Sequence, residues 1–366
     1  MTQDFLPGLE LSRIFFAEAV QPILTHHFPE LPYSAGLIGP GSEVQGFDTP
    51  QSMDHDWGPR LVLFLSEREH TLHSAALDAI LRAELPTTIR GFATNFSPTG
   101  TGVRWMQPVA KPPIDHNIKV MRYPTFFTEQ LNCDPTLGLA VLDWLIAPQQ
   151  VLRELTGGQL FHDALDIAAA RAKLRYYPHD IWLYMLAAQW VRIGQEDAFV
   201  GRCAQTGDEL GSRLIANRLI RDIMRLCYLF EQQYAPYSKW LGTAFARLDC
   251  ATQLTPIFLG VLNAQDWTER EQHLCAACES IAQLHNALQI SQPGPTRVSH
   301  FHDRPFRVIQ AEQFAQLTRA AISDPAVLAL PAHIGAIDQF VDSTDVLSNP
   351  AIYGRLKATY LDEVRH

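Results

Sequence analysis

The residues best suited to chemistry lie in one stretch, GPGSEVQGFDTPQSMDHDWGPRLVLFL, at positions 39–65. Gly41 and Ser42 follow one apolar run. Asp54 and Asp56 precede another. Alternate side chains of a strand point to the same face, so this spacing predicts two carboxylates side by side. Such a pair can hold a hard divalent cation, and backbone N–H groups in a turn of small residues suit a phosphate. The stretch therefore predicts a site for a metal-bound nucleoside triphosphate.

The same residues are compatible with a simpler interpretation. Gly, Ser and Asp are common turn residues, and DTPQSMDHD reads equally as a surface loop whose acids are solvated or cap a helix. We favour the binding site because the features occur together. A glycine and a serine follow one predicted strand, eleven residues intervene, and acid-x-acid leads into the next strand.

This combination resembles the nucleotidyltransferase superfamily, whose signature is a Gly-Ser turn followed by acid-x-acid. The longer string GFDTPQSMDHDWGPR is similar to one bacterial branch, domain of unknown function 4037. Later segments that also resemble this branch are YYPHDIWLYMLAAQW, GDELGSRLIANRLIRDIMRL, YAPYSKWLGTAF and AIDQFVDSTDVLS. The resemblance implies an α+β protein with a polymerase-beta-like N-terminal domain, a mixed sheet with helices, followed by an all-helical C-terminal domain.

The resemblance also implies an activity. Such an enzyme transfers a nucleoside monophosphate, here most readily AMP, from ATP or another triphosphate to a hydroxyl of a small molecule or protein. Asp54 and Asp56 would bind Mg²⁺ or Mn²⁺, and Gly41 and Ser42 would seat the phosphates. The branch carries no assigned activity, so the resemblance leaves the acceptor open.

A third acid commonly completes such a site, and here none stands at the expected place. The predicted strand NIKVMR carries Lys119 where an acid is expected. Asp115 is close enough in sequence to substitute, although a loop aspartate this close to two prolines is also a common turn residue. Glu209 is a second candidate, with the alternative role of an acid that stabilises a helix N-terminus. A catalytically impaired protein that binds nucleotides or partners therefore stays open.

Three further residues are candidates for contacts with the nucleotide. Ser52 either caps a local turn or hydrogen-bonds the acid pair. Arg218 shares a predicted helix face with Arg221 and Arg225, where it either clamps phosphate oxygens or pairs with nearby acids. Lys239, in YAPYSKW, suits a phosphate contact or an ordinary surface position.

Composition limits the partners. The 366-residue chain has a formal net charge of −10 at pH 7 and lacks a cluster of Lys and Arg, which makes a long nucleic acid an unlikely partner. No apolar run is long enough for a membrane span, and no signal peptide is evident, so we expect a cytoplasmic protein. Its six cysteines are too few and too scattered for a disulfide scaffold.

The hydrophobic pattern changes near residue 135. Before it, helices are predicted at 9–26 and 70–84, and strands at 33–38, 61–65, 87–95 and 117–122. After it, long segments of helical periodicity, including GQLFHDALDIAAARAKL, alternate with prolines. We therefore expect an α/β domain over 1–135 and an α-helical domain over 136–366.

Overall fold

The computed structural model of the protein describes residues 4–98 and 102–361. Within them the chain is a mixed α+β protein, rich in helix and with a small mixed sheet, as predicted. Among the described helices, none is both long and apolar enough to cross a membrane.

The secondary-structure elements are as follows. The strands are β1 (Ser34–Leu37), β2 (Arg60–Leu65), β3 (Thr88–Ile89), β4 (Phe92–Ala93), β5 (Phe96–Pro98), β6 (Arg104–Met106), β7 (Asn117–Arg122), β8 (Gln159–Asp163), β9 (Ser299–His300) and β10 (Arg307–Val308). The α-helices are α1 (Gly8–Phe15), α2 (Gln21–His27), α3 (Glu67–Glu84), α4 (Thr125–Leu131), α5 (Val141–Ile146), α6 (Gln149–Thr156), α7 (Ile167–Lys173), α8 (His179–Glu196), α9 (Phe199–Gln205), α10 (Glu209–Phe230), α11 (Leu241–Phe245), α12 (Ala251–Asn263), α13 (Trp267–Ala287), α14 (Ala311–Ala320), α15 (Pro325–Leu328), α16 (Thr344–Leu347), α17 (Pro350–Tyr353) and α18 (Ala358–Leu361). A π-helical turn covers Phe16–Val20, and 3-10 turns cover Pro50–Ser52, Pro135–Leu137, Ile337–Gln339 and Gly354–Lys357.

Packing divides the chain into two compact units. The first unit is Met1–Leu139 with Val151–Arg175, and the second is Ala140–Gln150 with Tyr176–His366. The first unit thus takes in a segment from beyond the boundary predicted near residue 135. The division into domains at that boundary stays a prediction.

The main sheet of the first unit has the strand order β7-β2-β1-β8. β1 is antiparallel to both β2 and β8, whereas β2 and β7 are parallel. Gly36 of β1 is in register with Val62 of β2, which is in register with Lys119 of β7. Residues in register across a sheet share a face, so these three lie on one side of the sheet.

The opposite face of this sheet covers the hydrophobic core of the first unit. Leu61, Leu63 and Leu65 of β2 point to this side and pack among residues of α1, α2 and α3. The predicted helices at 9–26 and 70–84 and the strands at 33–38, 61–65 and 117–122 are confirmed, with shifts of a few residues at their ends. The segment 87–95, predicted as one strand, instead forms the hairpin of β3 and β4, with Arg90 and Gly91 at positive φ in its turn.

The segment GQLFHDALDIAAARAKL is not one helix, contrary to the prediction. It forms the edge strand β8 followed by α7. Gly158, with φ +66°, prevents α6 from continuing, and a Cβ there would lie 1.9 Å from the Leu37 carbonyl oxygen. Asp163 then starts α7 by accepting hydrogen bonds from the N–H groups of Ile167 and Ala168.

The second unit is built around α8. Its residues from Ile181 to Trp190 are buried without interruption, and the helix packs against α10 and α14. A helix that is apolar all round belongs in the interior, which explains why YYPHDIWLYMLAAQW has no clear polar face. Asp208 accepts a hydrogen bond from the Gly211 N–H and so caps the N-terminus of α10.

Candidate functional site

The predicted site lies at one edge of the main sheet. β1 ends at Leu37, where β2 begins with Arg60, because the two strands are antiparallel. β7 begins at the same edge with Asn117, because it runs parallel to β2. The segment 38–59 connects β1 to β2 and contains the Gly-Ser turn and both aspartates. Topology therefore brings this segment close to the first residues of β7.

Gly41 is required by close packing at the turn. Its φ is +145°, and a Cβ would lie 2.2 Å from Nη2 of Arg60. The Arg60 guanidinium donates from Nε to Oε1 of Glu43 at 2.6 Å and from Nη2 to the Pro40 carbonyl oxygen at 2.7 Å. This largely buried ion pair fixes the turn to the beginning of β2.

The turn leaves a run of backbone donors unused. Two backbone hydrogen bonds close the turn at residues 42–47. The Gly46 N–H donates to Glu43 O, and the Phe47 N–H donates to Ser42 O. The N–H groups of residues 41–45 donate to no acceptor in the described part of the chain. Successive unpaired N–H groups of a turn form a concavity that attracts anions. The Gly41 and Ser42 backbone thus has the donors that the sequence assigns to a phosphate.

The segment between this turn and the aspartates is held by local contacts. Asp48 accepts hydrogen bonds from the indole N–H of Trp57 and from the Gly8 N–H, and Trp57 is only 2% exposed. The Ser52 hydroxyl accepts from the Thr49 N–H and completes a capping box around the turn Pro50–Ser52. Of the two roles considered for Ser52, the cap is the one with an observed contact.

Asp54 and Asp56 do not lie in a strand, contrary to the geometry expected from their spacing. Residues 54–56 form a bend that ends before β2, and Asp56 has φ +54°. The argument that alternate residues share a face therefore does not apply to them. The two Asp54 carboxylate oxygens face its neighbour His55, one accepting from the backbone N–H at 2.8 Å and the other 3.2 Å from ring Nδ1.

Asp56 is oriented by a residue distant in sequence. Its N–H donates to the Arg104 carbonyl oxygen at 2.8 Å, and its Oδ1 accepts from the Arg104 N–H at 3.2 Å. The Arg104 guanidinium in turn donates to the carbonyl oxygens of Phe96, Asp115 and His116. Arg104 thereby connects the acid bend to the residues that lead into β7, while Asp56 Oδ2 makes no hydrogen bond to the described residues.

Lys119 lies beside this bend. It is on the same sheet face as Arg60, because Arg60 and Val62 alternate along β2 and Val62 is in register with Lys119. Loss of hydration and the positive charges of Arg60 and Arg104 lower the pKa of Lys119, whereas the negative charge of Asp56 raises it. The ammonium is therefore within electrostatic reach of both the acid bend and the two arginines.

Asp115 is engaged in ion pairs. Its carboxylate lies 2.7 Å from Arg82 Nη1 and 2.8 Å from Arg104 Nη2. Partial burial raises the pKa of Asp115, but the hydrogen bond from Arg82 and the charges of both arginines lower it by more. A carboxylate stabilised in this way is a weak base, because it holds a proton poorly.

Glu209, the other candidate for the base, belongs to the second unit. It is the first residue of α10 and forms ion pairs with Arg213 at 2.7 Å and with the buried Arg270 at 2.5 Å. The hydrogen bonds from Arg270 and Arg213 lower the pKa of Glu209. These contacts favour the structural alternative weighed for this residue, an acid that stabilises a helix N-terminus.

The remaining predicted residues also lie in the second unit. Arg218 pairs with Glu196 at 3.2 Å, and Arg221 with Asp342 at 3.3 Å. Lys239 is exposed and its ammonium lies 4.9 Å from the ring centre of Trp240. The structure therefore gives Arg218 an acidic partner and Lys239 an aromatic one, and their contacts with a nucleotide stay predictions.

The donor chemistry of the acid bend fits a divalent cation in part. Mg²⁺ commonly takes one or two protein carboxylates and completes its shell with water and phosphate oxygens. Asp56 has a carboxylate oxygen available for this, whereas both Asp54 oxygens already contact His55. Within residues 4–98 and 102–361, no group of three or more His, Cys, Asp or Glu side chains is placed to hold a metal ion. Metal binding by Asp54 and Asp56 stays a prediction.

Sequence reasoning did not identify Arg60, Glu43 or Arg104. Glu43 stands in GPGSEV, beside the turn, and Arg60 stands in WGPRLV, at the beginning of the strand. Their opposite charges were a signal that could have identified the pair. Arg104 offered no such signal, because its contact with Asp56 spans 48 positions and depends on the hairpin of β5 and β6.

Comparisons with known proteins found a family match and a similar solved structure. Residues 144–241 match the family described as domain of unknown function (DUF4037). This confirms the predicted resemblance for that range, which contains YYPHDIWLYMLAAQW and GDELGSRLIANRLIRDIMRL and the beginning of YAPYSKWLGTAF. No curated protein matches the chain. The structure is similar to the crystal structure of a nucleotidyltransferase-like protein from Exiguobacterium sibiricum 255-15, with 10% identity and a TM-score of 0.32 over 78% of this chain and 82% of that chain.

Proposed function

We propose that the first unit binds a metal-bound nucleoside triphosphate at this edge of the sheet and transfers its nucleoside monophosphate to a hydroxyl group. The observation that carries the proposal is the run of unpaired N–H groups at residues 41–45. A turn with unpaired donors, followed by a bend that offers Asp56 Oδ2, supplies complementary groups for phosphate and for metal. The resemblance of this stretch to the nucleotidyltransferase signature supports the same assignment.

Each residue has a distinct task in this proposal. Gly41 and Ser42 bind phosphate oxygens through their N–H groups, and the Arg60–Glu43 pair keeps the turn in place. Asp54 and Asp56 would hold Mg²⁺ or Mn²⁺, whose charge offsets that of the triphosphate and of the departing pyrophosphate. AMP is the proposed group and ATP the proposed donor, with a small molecule or a protein as acceptor. The base that accepts the hydroxyl proton is unassigned, because both candidates, Asp115 and Glu209, are ion-paired.

The ion pairs of Asp115 and Glu209 also favour a second function, nucleotide binding without catalysis. With Lys119 beside the acid bend and both candidate bases stabilised as carboxylates, the chain also suits a nucleotide-binding protein without turnover. The two functions share the binding step and differ in the chemical step alone.

Label transfer distinguishes them. The full chain is incubated with Mg²⁺ and ATP labelled at the α-phosphate, with cell extract as the source of acceptors, and the products are separated. Transfer predicts pyrophosphate together with label on an acceptor. Release of labelled AMP without a labelled acceptor indicates a hydrolase, and bound but unchanged ATP indicates the binding protein. Neither binding nor turnover with any of the common nucleoside triphosphates contradicts the proposal.

A further inference from the structure

Lys119 is a cation without an acidic partner in the described structure. Its side-chain ammonium makes no ion pair or hydrogen bond with residues 4–98 and 102–361. Its two cationic neighbours differ in this respect. Arg60 is neutralised by Glu43 at 2.6 Å, and Arg104 by Asp115 at 2.8 Å. The Lys119 charge is therefore the uncompensated one among the three.

The charges that act on the exposed Lys119 ammonium are mainly positive. Arg60 and Arg104 repel its ammonium, and the one attractive group acting on it is Asp56. An arrangement of this kind is stabilised when an anion binds, because the anion supplies the missing counter-charge.

The unpaired N–H groups of residues 41–45 lie at the same edge of the sheet as Lys119. Arg60 shares a sheet face with Lys119, and its guanidinium contacts the turn at Pro40 and approaches Gly41. Arg60 thus shares a sheet face with Lys119 and also contacts the turn that carries these N–H groups. An anion that contacts both the ammonium and the turn needs several negative oxygens spread over a chain, which is a property of a polyphosphate and not of a single carboxylate.

We propose that Lys119 binds phosphate oxygens of the triphosphate directly and supplies a fixed positive charge, so that the polyphosphate is held without a divalent cation. This inference depends on the proposed triphosphate site. It adds Lys119 to that site and makes binding of the polyphosphate independent of a divalent cation. A lysine ammonium is a compact charge suited to phosphate oxygens, and a charge-assisted hydrogen bond of this kind is stronger than a neutral one.

The test is titration calorimetry on the full chain with ATP and with inorganic tripolyphosphate, each in excess Mg²⁺ and in EDTA. The wild-type protein is expected to bind tripolyphosphate in EDTA. Lys119→Met is expected to weaken that binding at least about tenfold, since one such contact contributes roughly 1.4 kcal/mol. Lys119→Arg keeps the charge and should retain most of the affinity.

The control is Lys111→Met, which removes another exposed lysine of the first unit and should leave the affinity unchanged. Thermal unfolding of each variant checks that it is folded. If ATP and tripolyphosphate bind only in Mg²⁺, and bind equally well to Lys119→Met, the role of Lys119 is overturned. The proposed function is then still intact. No binding of either ligand in Mg²⁺ or in EDTA contradicts the proposed function itself, and the role of Lys119 with it.

Discussion

Asp56 and Arg104 exchange two hydrogen bonds across 48 positions of the chain. The Asp56 N–H donates to the Arg104 carbonyl oxygen, and the Arg104 N–H donates to Asp56 Oδ1. One oxygen of this carboxylate is therefore committed to the protein, and the other is available to a ligand. This pairing gives the acid bend a defined orientation although it lies outside the sheet.

The close packing of Gly41 yields a first prediction. In Gly41→Ala the added Cβ meets the Arg60 guanidinium and the Glu43 carboxylate, and the residue must also keep a positive φ. The expected result is a loss of about 1–3 kcal/mol in the free energy of unfolding. Because the clash separates Arg60 from Glu43, ATP affinity should fall at least about tenfold, which calorimetry measures.

Gly138→Ala is the matched control for this variant. Gly138 has φ +91°, in the same unfavourable region, but open space surrounds the position of its Cβ. This variant should show backbone strain without loss of ATP affinity. Equal affinity losses in both variants would show that general destabilisation, and not the turn at Gly41, governs binding.

Glu209 gives a prediction that separates a structural role from a catalytic one. Glu209→Gln removes the charge that faces the buried Arg270, so the thermal unfolding midpoint should fall, with a cost on the order of 1–3 kcal/mol. Nucleotide turnover per folded molecule should stay within about twofold of the wild type. A drop of about a hundredfold in turnover with an unchanged melting temperature would instead identify Glu209 as the base.

A third prediction concerns the pH dependence of stability. Burial raises the pKa of Asp197 to about 7, although hydrogen bonds from the Ala198 and Ile309 N–H groups partly oppose it. The folded state then binds more protons than the unfolded state between about pH 4 and pH 7, so the free energy of unfolding falls as pH rises through this window. For this one carboxyl group, the fall amounts to at most about 1.4 kcal/mol for each pH unit.

Asp197→Asn tests whether the free energy of unfolding falls as the pH rises. The amide cannot ionise, and its oxygen still accepts hydrogen bonds. The variant should gain stability relative to the wild type as the pH rises from about 4 to about 7, as followed by thermal unfolding. The other titrating groups are common to both proteins and cancel in the difference. Parallel pH profiles for the two proteins would show that Asp197 keeps an ordinary pKa.

Sequence periodicity predicted the helices and strands whose apolar residues recur at a regular local spacing. The helix at 9–26 and the strands at 61–65 and 117–122 follow from local spacing of apolar residues, and the structure has them. β8 was missed because QLFHD has no strand signal strong enough to outweigh the helical spacing around it. Its state is decided by pairing with β1 and by Gly158, which is a tertiary effect.

The sequence predicted the residues of the candidate site, but it did not predict how they are arranged. The Gly-Ser turn and the acid bend could be found from residue types, since each is local. The assumption of a strand at 54–56 failed because Asp56 takes a positive φ, which aspartate tolerates better than most residues. The contact with Arg104 could not be foreseen, because it depends on a hairpin distant in sequence.

Asp56→Asn is the sharpest test of whether Asp56 belongs to a metal and triphosphate site. Asparagine keeps the acceptor for the Arg104 N–H and tolerates a positive φ, so the bend should persist while the metal-binding charge is lost. The measurement is ATP binding and pyrophosphate release at several Mg²⁺ concentrations. We expect the Mg²⁺-dependent part of binding, and all turnover, to disappear in a normally folded variant. Unchanged Mg²⁺-dependent binding and turnover in Asp56→Asn would contradict the account.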